Sequence, residues 1–187
     1  IGMSSNDRKA YYFSDSYNEL TLISYQSVSN DVESFKKFLT REGNKVMVVL
    51  DEAHRIKNIN GGKWAEAVLS IAKYANSRVV LTGTPAPNGY QDLHNLFKFI
   101  WPNKDILGFP LYYLENLTEN RTPQSKRDIT KLIGNLSPFF LRIKKSDFPD
   151  FPEAIYNEPI VVEMSSTQRE IYKHIESKYI DYLEDKD

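Results

Sequence analysis

Asp51 and Glu52 stand side by side at the end of the apolar run Val46-Met47-Val48-Val49-Leu50, with His54 two positions on. A β-branched run of this kind is the pattern of a strand covered on both faces in a parallel sheet. Its carboxyl end is where open α/β folds bind ligands. Two acids leaving that edge suit hydrolysis of a nucleoside triphosphate. One carboxylate can hold a hydrated magnesium that bridges the phosphates, and the other can orient and deprotonate the attacking water. The same acids would also suit a helix N-terminus, where the dipole favours negative charge. An isolated Asp-Glu pair does not separate the two readings.

Such an edge needs a sheet and helices to cover it. Leu20 to Gln26 reads as a short strand. Asn30 or Asp31 caps a helix to about Arg41, with Val32, Phe35, Phe38 and Leu39 on one face, and Gly43-Asn44 ends it. The strand Lys45–Leu50 follows, then a helix from Lys63 to Ala75 with Trp64, Ala67, Val68 and Ile71 turned inward. Arg78 to Leu81 is another strand, broken by Thr82-Gly83-Thr84-Pro85. A helix from Tyr90 to Trp101 carries Leu93, Leu96, Phe97 and Ile100 at helical spacing. This alternation predicts an α/β fold, a parallel sheet flanked by helices.

Beyond Pro102 the pattern becomes mostly helical, with helices over 111–118 and 125–136 and a short apolar stretch at Phe139–Ile143. The prolines of Phe148–Pro152 require extended chain. Ile155 to Met164 suggests a strand, and Ser165 or Ser166 caps a last helix with the stripe Ile171, Ile175, Tyr179, Tyr182.

At 41% hydrophobic and 26% charged residues, the 187-residue chain has a globular composition. Its longest aliphatic run is far too short to span a bilayer, so no membrane partner is expected. The absence of cysteine excludes disulfide partners, and three scattered histidines do not make a zinc site. Net charge is −1, but Arg121 to Lys145 holds seven basic residues against Asp128 alone, enough either to track a phosphate backbone or to form a solvated face. Gly61-Gly62 reads as a turn, and His94 and His174 fall within amphipathic helices. No Gly-x-x-x-x-Gly-Lys-Ser/Thr phosphate loop occurs in the chain.

Asp51 to Asn58 reads Asp-Glu-Ala-His-Arg-Ile-Lys-Asn, and further on come Leu81-Thr82-Gly83-Thr84-Pro85-Ala86-Pro87-Asn88 and Asp92-Leu93. Pro138 to Asp147, which contains Leu141-Arg142-Ile143-Lys144, is similar to a Leu-Arg-Arg-x-Lys-x-Asp segment. Ser165-Ser166-Thr167-Gln168 with Tyr172 is similar to Ser/Thr-x-x-Gln-x-x-x-Tyr, and Leu22-Ile23-Ser24-Tyr25 precedes the acids. In this order the motifs resemble the Swi/Snf-like family of superfamily-two helicase-related ATPases with a DEAH box, DNA translocases that include chromatin remodellers. The resemblance covers residues 20 to 175. Ile143 departs from it at the second arginine, and Ala86-Pro87-Asn88-Gly89 is closer to bacterial or phage members.

The resemblance implies ATP and Mg2+ as cofactors, with Asp51 as the water-mediated magnesium acid and Glu52 as the base. It implies that His54 links the nucleotide site to Thr82, Gly83 and Thr84, which couple nucleotide state to DNA grip. Ser24, Tyr25, Lys57, Asn58 and Arg142 would face double-stranded DNA. Residues 1–101 would be the C-terminal part of the first RecA-like P-loop lobe and 102–187 a helical extension. The Walker A segment and a second motor lobe, a partner in the same polypeptide, would lie outside the chain. An excised piece of this kind is expected to be inactive alone, and the full-length parent to act in the cytoplasm if bacterial or phage-encoded, in the nucleus if eukaryotic. A restriction-type motor or an RNA helicase with the same acidic box is an alternative, although RNA helicases tend to show Ser-Ala-Thr in place of Thr82-Gly83-Thr84. A non-catalytic module that kept the fold is another, against which the intact acids argue.

Overall fold

The computed structural model describes the chain except residues 1–2, 16–17, 42, 44, 60, 145–146, 149, 151, 153–154 and 185–187, and except the side chains of 180–184. Asn44, Lys145, the side chain of Tyr182 and part of the proline-rich stretch 148–152 therefore lie outside the described residues. Two compact units are present, residues 1–141 and 142–187.

In the first unit, β1 (Met47–Leu50) and β2 (Ser77–Val80) pair in parallel, Met47 opposite Ser77 and Leu50 opposite Val80. Valines at 48, 49, 79 and 80 favour this pleated backbone. The ladder continues past the strands: Leu81 N–H donates to Leu50 O at 2.8 Å and Ala53 N–H to Leu81 O at 2.9 Å. At the opposite end Val46 N–H donates to Asn76 Oδ1 at 2.8 Å. The crossover helix α4 (Lys63–Ala72) buries Ala65, Ala67, Val68 and Ile71. Helix α5 (Leu93–Ile100) packs on α4 and β2 and buries Leu93, Leu96, Phe97 and Phe99.

Three further helices precede the sheet. α1 (Ser5–Phe13) opens with a capping box, Ser4 Oγ accepting from Asp7 N–H at 3.2 Å and Asp7 Oδ2 from Ser4 N–H at 3.3 Å. α2 (Tyr25–Asn30) and α3 (Val32–Thr40) meet at Asp31. The predicted cap at Asp31 makes no side-chain capping bond; its buried carboxylate instead accepts from Arg8 Nε at 2.6 Å and lies 3.5 Å from Tyr12 Oη. Tyr12 packs edge-on against Phe35, centroids 5.6 Å apart. Burial, and then the Asp31 charge, push the Tyr12 phenol up to about 12. The fold thus holds a proton that an unfolded tyrosine releases near pH ~10. The stability this contributes is complete below pH ~10 and is lost as pH rises toward about 12. Urea unfolding below and within that window is expected to show a shallower alkaline loss for Tyr12→Phe than for the native chain; equal slopes would remove Tyr12 from the account.

After α5 come α6 (Leu111–Glu119) and α7 (Pro123–Leu136), with Leu114, Leu132 and Leu136 buried. Thr122 Oγ1 accepts from Ser125 N–H at 3.1 Å, and Pro123 occupies the first helical position. Tyr113 Oη donates to Asp128 Oδ2 at 2.7 Å, and this bond, with a second from Gln124, holds the Asp128 carboxyl below its usual range. α6 also braces the loop ahead of α5. Gly89 has φ 139°, and a Cβ there would lie 2.3 Å from Thr118 Oγ1. Thr118 Oγ1 accepts from Tyr90 N–H at 2.9 Å. α6 and α7 thus belong to the same compact unit as the sheet.

Residues 20–24 form no strand. Ser24 Oγ accepts from Ser27 N–H at 3.1 Å and starts α2, and Leu22 is 88% exposed with no neighbouring strand to pair. The sheet of the described residues therefore has two strands rather than three. Nor is β1 covered on both faces: Met47 is 60% and Val49 45% exposed, whereas Leu50 on the other face is buried. Trp64, placed inward by periodicity, is 37% exposed and stacks on Tyr25.

In the second unit α8 (Ser166–Glu184) begins at a capping box. Ser165 N–H donates to Gln168 Oε1 at 3.0 Å, and Gln168 N–H to Ser165 Oγ at 3.4 Å. Ile155–Met164 forms no strand; its side chains are exposed, and among the described residues no ladder partner satisfies its backbone. Ile171 and Ile175 line a groove of about 430 Å³ with Val162, Met164 and Tyr172.

Candidate functional site

The acids sit where the β1 ladder ends, and the local backbone decides how they point. Glu52 has φ 48° and ψ 46°, the left-handed region that costs a non-glycine residue about 1–2 kcal/mol. Its neighbours hold that turn. Asp51 O accepts from Tyr25 Oη–H at 2.8 Å, and Glu52 N–H donates to Asp51 Oδ1 at 2.9 Å. Ala53 N–H donates to Leu81 O at 2.9 Å, and Arg55 N–H to Glu52 O at 3.0 Å. Ala53 and Ile56, the ends of a 3₁₀ turn, are completely buried and anchor it below. Both acidic side chains are left exposed at the carboxyl edge of the sheet.

His54 Nδ1 lies 3.2 Å from Glu52 Oε2 and 3.5 Å from Thr82 Oγ1. Thr82 Oγ1 also accepts from Thr84 N–H at 3.2 Å, across the exposed bend at Gly83. A neutral imidazole nitrogen either donates or accepts, so Nδ1 serves one neighbour at a time. Protonated, it donates to Glu52; unprotonated, it accepts from the Thr82 hydroxyl. The acid turn and the loop after β2 thus meet at a single ring atom.

Lys57 and Asn58 are tied down behind this turn. Lys57 Nζ lies 3.8 Å from Asp92 Oδ2, which also accepts from Asn88 N–H at 2.9 Å. Asn95 Nδ2 donates to Ile56 O at 2.8 Å and to Asn58 O at 3.0 Å. Asp92 and Asn95 are buried, and sequence reasoning missed both as site residues. The available signal was two polar residues three apart on the otherwise apolar stripe that runs through Leu96 and Phe99. Ser24 is the N-cap of α2, and Tyr25 begins that helix. The Tyr25 ring stacks on Trp64 at 6.1 Å, and the Arg55 guanidinium lies 5.8 Å from the Trp64 centroid. Burial first, and then the charge of Asp51, push the Tyr25 phenol up to about 12, so it remains a donor at neutral pH. Arg142 is exposed in the second unit.

Among the described residues no three His, Asp or Glu side chains gather into a metal cage. Magnesium at a phosphate site needs only one or two carboxylates beside water and phosphate oxygens. Asp51 fits that demand: it is exposed, its Oδ1 takes the Glu52 N–H, and its Oδ2 has no protein partner among the described residues.

Residues 8–187 match the family described as SNF2-related domain. The chain belongs to that family. Its small parallel sheet flanked by helices is part of the RecA-like lobe of an SNF2-related domain. Relatives include Helicase swr1 of Aspergillus fumigatus, 32% identical over 88% of this chain, and Helicase SWR1 of Saccharomyces cerevisiae, 29% identical over 91%. Protein CHROMATIN REMODELING 19 of Arabidopsis thaliana is 31% identical over 71% of the chain. The SNF2-related chain covers only 10%, 12% and 16% of these proteins respectively. All three are eukaryotic, and they give no support to the bacterial or phage source suggested by the loop at Ala86–Gly89. Among the described residues no helix is long and apolar enough to cross a membrane.

Proposed function

We propose that this SNF2-related chain is part of the motor of a DNA-dependent ATPase that couples ATP hydrolysis to movement on duplex DNA. The observation that carries the reading is the position of His54 Nδ1, within 3.5 Å of both Glu52 and Thr82. In this reading Asp51–His54 is a DEAH box. Asp51 would hold magnesium through water, and magnesium held there would supply neutralisation of the charge that builds on the phosphates. Glu52 takes a proton from the attacking water. Once Glu52 has been protonated its charge no longer holds the His54 Nδ1–H, which is freed to donate to the Thr82 hydroxyl oxygen. Thr82 and Thr84 carry that change toward the DNA, with Lys57 and Asn58 on the phosphate track; Arg142, in the second unit, is read as a DNA contact from its motif alone.

The phosphate loop that supplies most triphosphate contacts, and the second lobe that closes on ATP, belong to the full-length parent in this reading. Without that loop the chain alone is not expected to turn over ATP. A eukaryotic parent, in line with the relatives above, would work in the nucleus.

Duplex DNA is expected to stimulate the parent's ATPase, and Thr84→Ala to lower the stimulated rate more than the basal rate. Phosphate contacts release counterions, so the stimulation should weaken as salt is raised. Steady-state ATPase against DNA concentration at two salt levels tests this. Equal fractional losses would reduce Thr84 to a structural residue, and an ATPase indifferent to duplex DNA would overturn the reading.

A further inference from the structure

The conformation of Glu52 is set by the two peptide units that flank it, and each is bonded at both its carbonyl and its N–H. The 51–52 unit is held by Tyr25 Oη at Asp51 O (2.8 Å) and by Asp51 Oδ1 at Glu52 N–H (2.9 Å). The 52–53 unit is held by Arg55 N–H at Glu52 O (3.0 Å) and by Leu81 O at Ala53 N–H (2.9 Å). Three of these four bonds come from the turn itself or from the ladder beside it. Of the two made by side chains, the Tyr25 bond reaches in from a helix 26 residues earlier in the chain, and it can be deleted by removing the phenol oxygen without touching the acids.

Tyr25 is itself held. Its ring stacks on Trp64 of the first turn of α4, with planes 27° apart, and the Arg55 guanidinium lies 5.8 Å from the same indole. The stack therefore joins the start of α2, the start of α4 and the acid turn. It also accounts for a tryptophan left partly exposed at the edge of the site rather than in the core.

We infer that Tyr25 is a positioning residue for Glu52: braced by Trp64, its hydroxyl fixes the Asp51 carbonyl and with it the left-handed turn that aims the Glu52 carboxylate. This rests on the reading of Glu52 as the base. It gives Tyr25 a task distinct from the DNA contact that its motif implies. A carboxylate on a left-handed residue swings through a wide arc if either flanking peptide rotates, and base catalysis is sensitive to such displacement.

The test is made in the full-length parent. Tyr25→Phe keeps the stack and removes the hydroxyl. It is expected to lower kcat by about tenfold to a hundredfold, since displacements near 1 Å have that effect, with the KM for ATP and the affinity for duplex DNA unchanged. In a Glu52→Gln background, where there is no base left to aim, the same change is expected to move the residual single-turnover rate by less than about twofold, because groups acting as a unit are non-additive. Trp64→Ala, which leaves the hydroxyl but removes its brace, is expected to reproduce part of the kcat loss. An unchanged kcat in Tyr25→Phe, an equal loss in both backgrounds, or a loss confined to DNA affinity overturns the inference. If Glu52→Gln alone leaves turnover intact, the base assignment itself falls and the inference with it; if Glu52→Gln abolishes turnover while Tyr25→Phe is silent, only the inference falls.

Discussion

Glu52→Gln in the full-length parent is expected to lower ATP turnover by about a hundredfold to ten-thousandfold, the span associated with losing a general base, while ATP affinity is retained. The amide keeps the size and planar shape of the carboxylate, and its oxygen can still accept from His54 Nδ1. The four hydrogen bonds that hold the peptide units on either side of residue 52 do not involve its side chain, so the turn is preserved. What disappears is the capacity to take a proton from water. Single-turnover hydrolysis, with nucleotide binding measured separately, distinguishes loss of chemistry from loss of the complex. A mutant that hydrolyses ATP near the parental rate would place the base elsewhere.

Phe99→Ala is expected to have the largest effect on stability, a loss of about 3–5 kcal/mol. Phe99 is completely buried in α5, the helix that packs on α4, on β2 and on the 3₁₀ turn below the acids. Those neighbours are tied by the β1–β2 ladder and by the Asn95 bonds to Ile56 and Asn58, so the cavity cannot close by a simple shift of α5. Set against a typical domain stability of about 5–15 kcal/mol, the loss is a large fraction. It should appear in urea unfolding as a lower midpoint with an unchanged slope. A loss below about 1 kcal/mol would mean that the surroundings collapse into the space and that α5 is less firmly held than its bonds imply.

The parts of this fold that could be read in advance are those set by short-range pattern. The valine-rich runs at 46–50 and 78–81 became paired strands, and the helices read over 63–75, 90–101, 111–118 and 125–136 are present as Lys63–Ala72, Leu93–Ile100, Leu111–Glu119 and Pro123–Leu136. The acids at the end of β1, with His54 within reach of Thr82, followed from strand direction and the parallel pairing. What could not be read depended on partners distant in sequence. Leu20 to Gln26 alternates like a strand, yet a strand needs a neighbour, and the Ser24 side chain offered the backbone a helix start instead. Asp31 reads as a cap, but Arg8 claims its carboxylate across 23 residues. Asn95 and Asp92 look like polar interruptions of an amphipathic helix until the loops they hold are placed beside them. The Ser-x-x-Gln pattern at 165–168 carries local information of a different kind, since both side chains are used in starting α8.

The close approach of Gly89 to Thr118 has an evolutionary corollary. With Thr118 Oγ1 standing 2.3 Å from where a Cβ at residue 89 would be, the two positions cannot drift independently. In an alignment of related chains, a side chain at the position of Gly89 should be accompanied by glycine or alanine at the position of Thr118, and a bulky residue at the latter by strict glycine at the former. The wording of the loop after Thr82-Gly83-Thr84-Pro85 would then be written partly by a helix that begins more than twenty residues later, at Leu111.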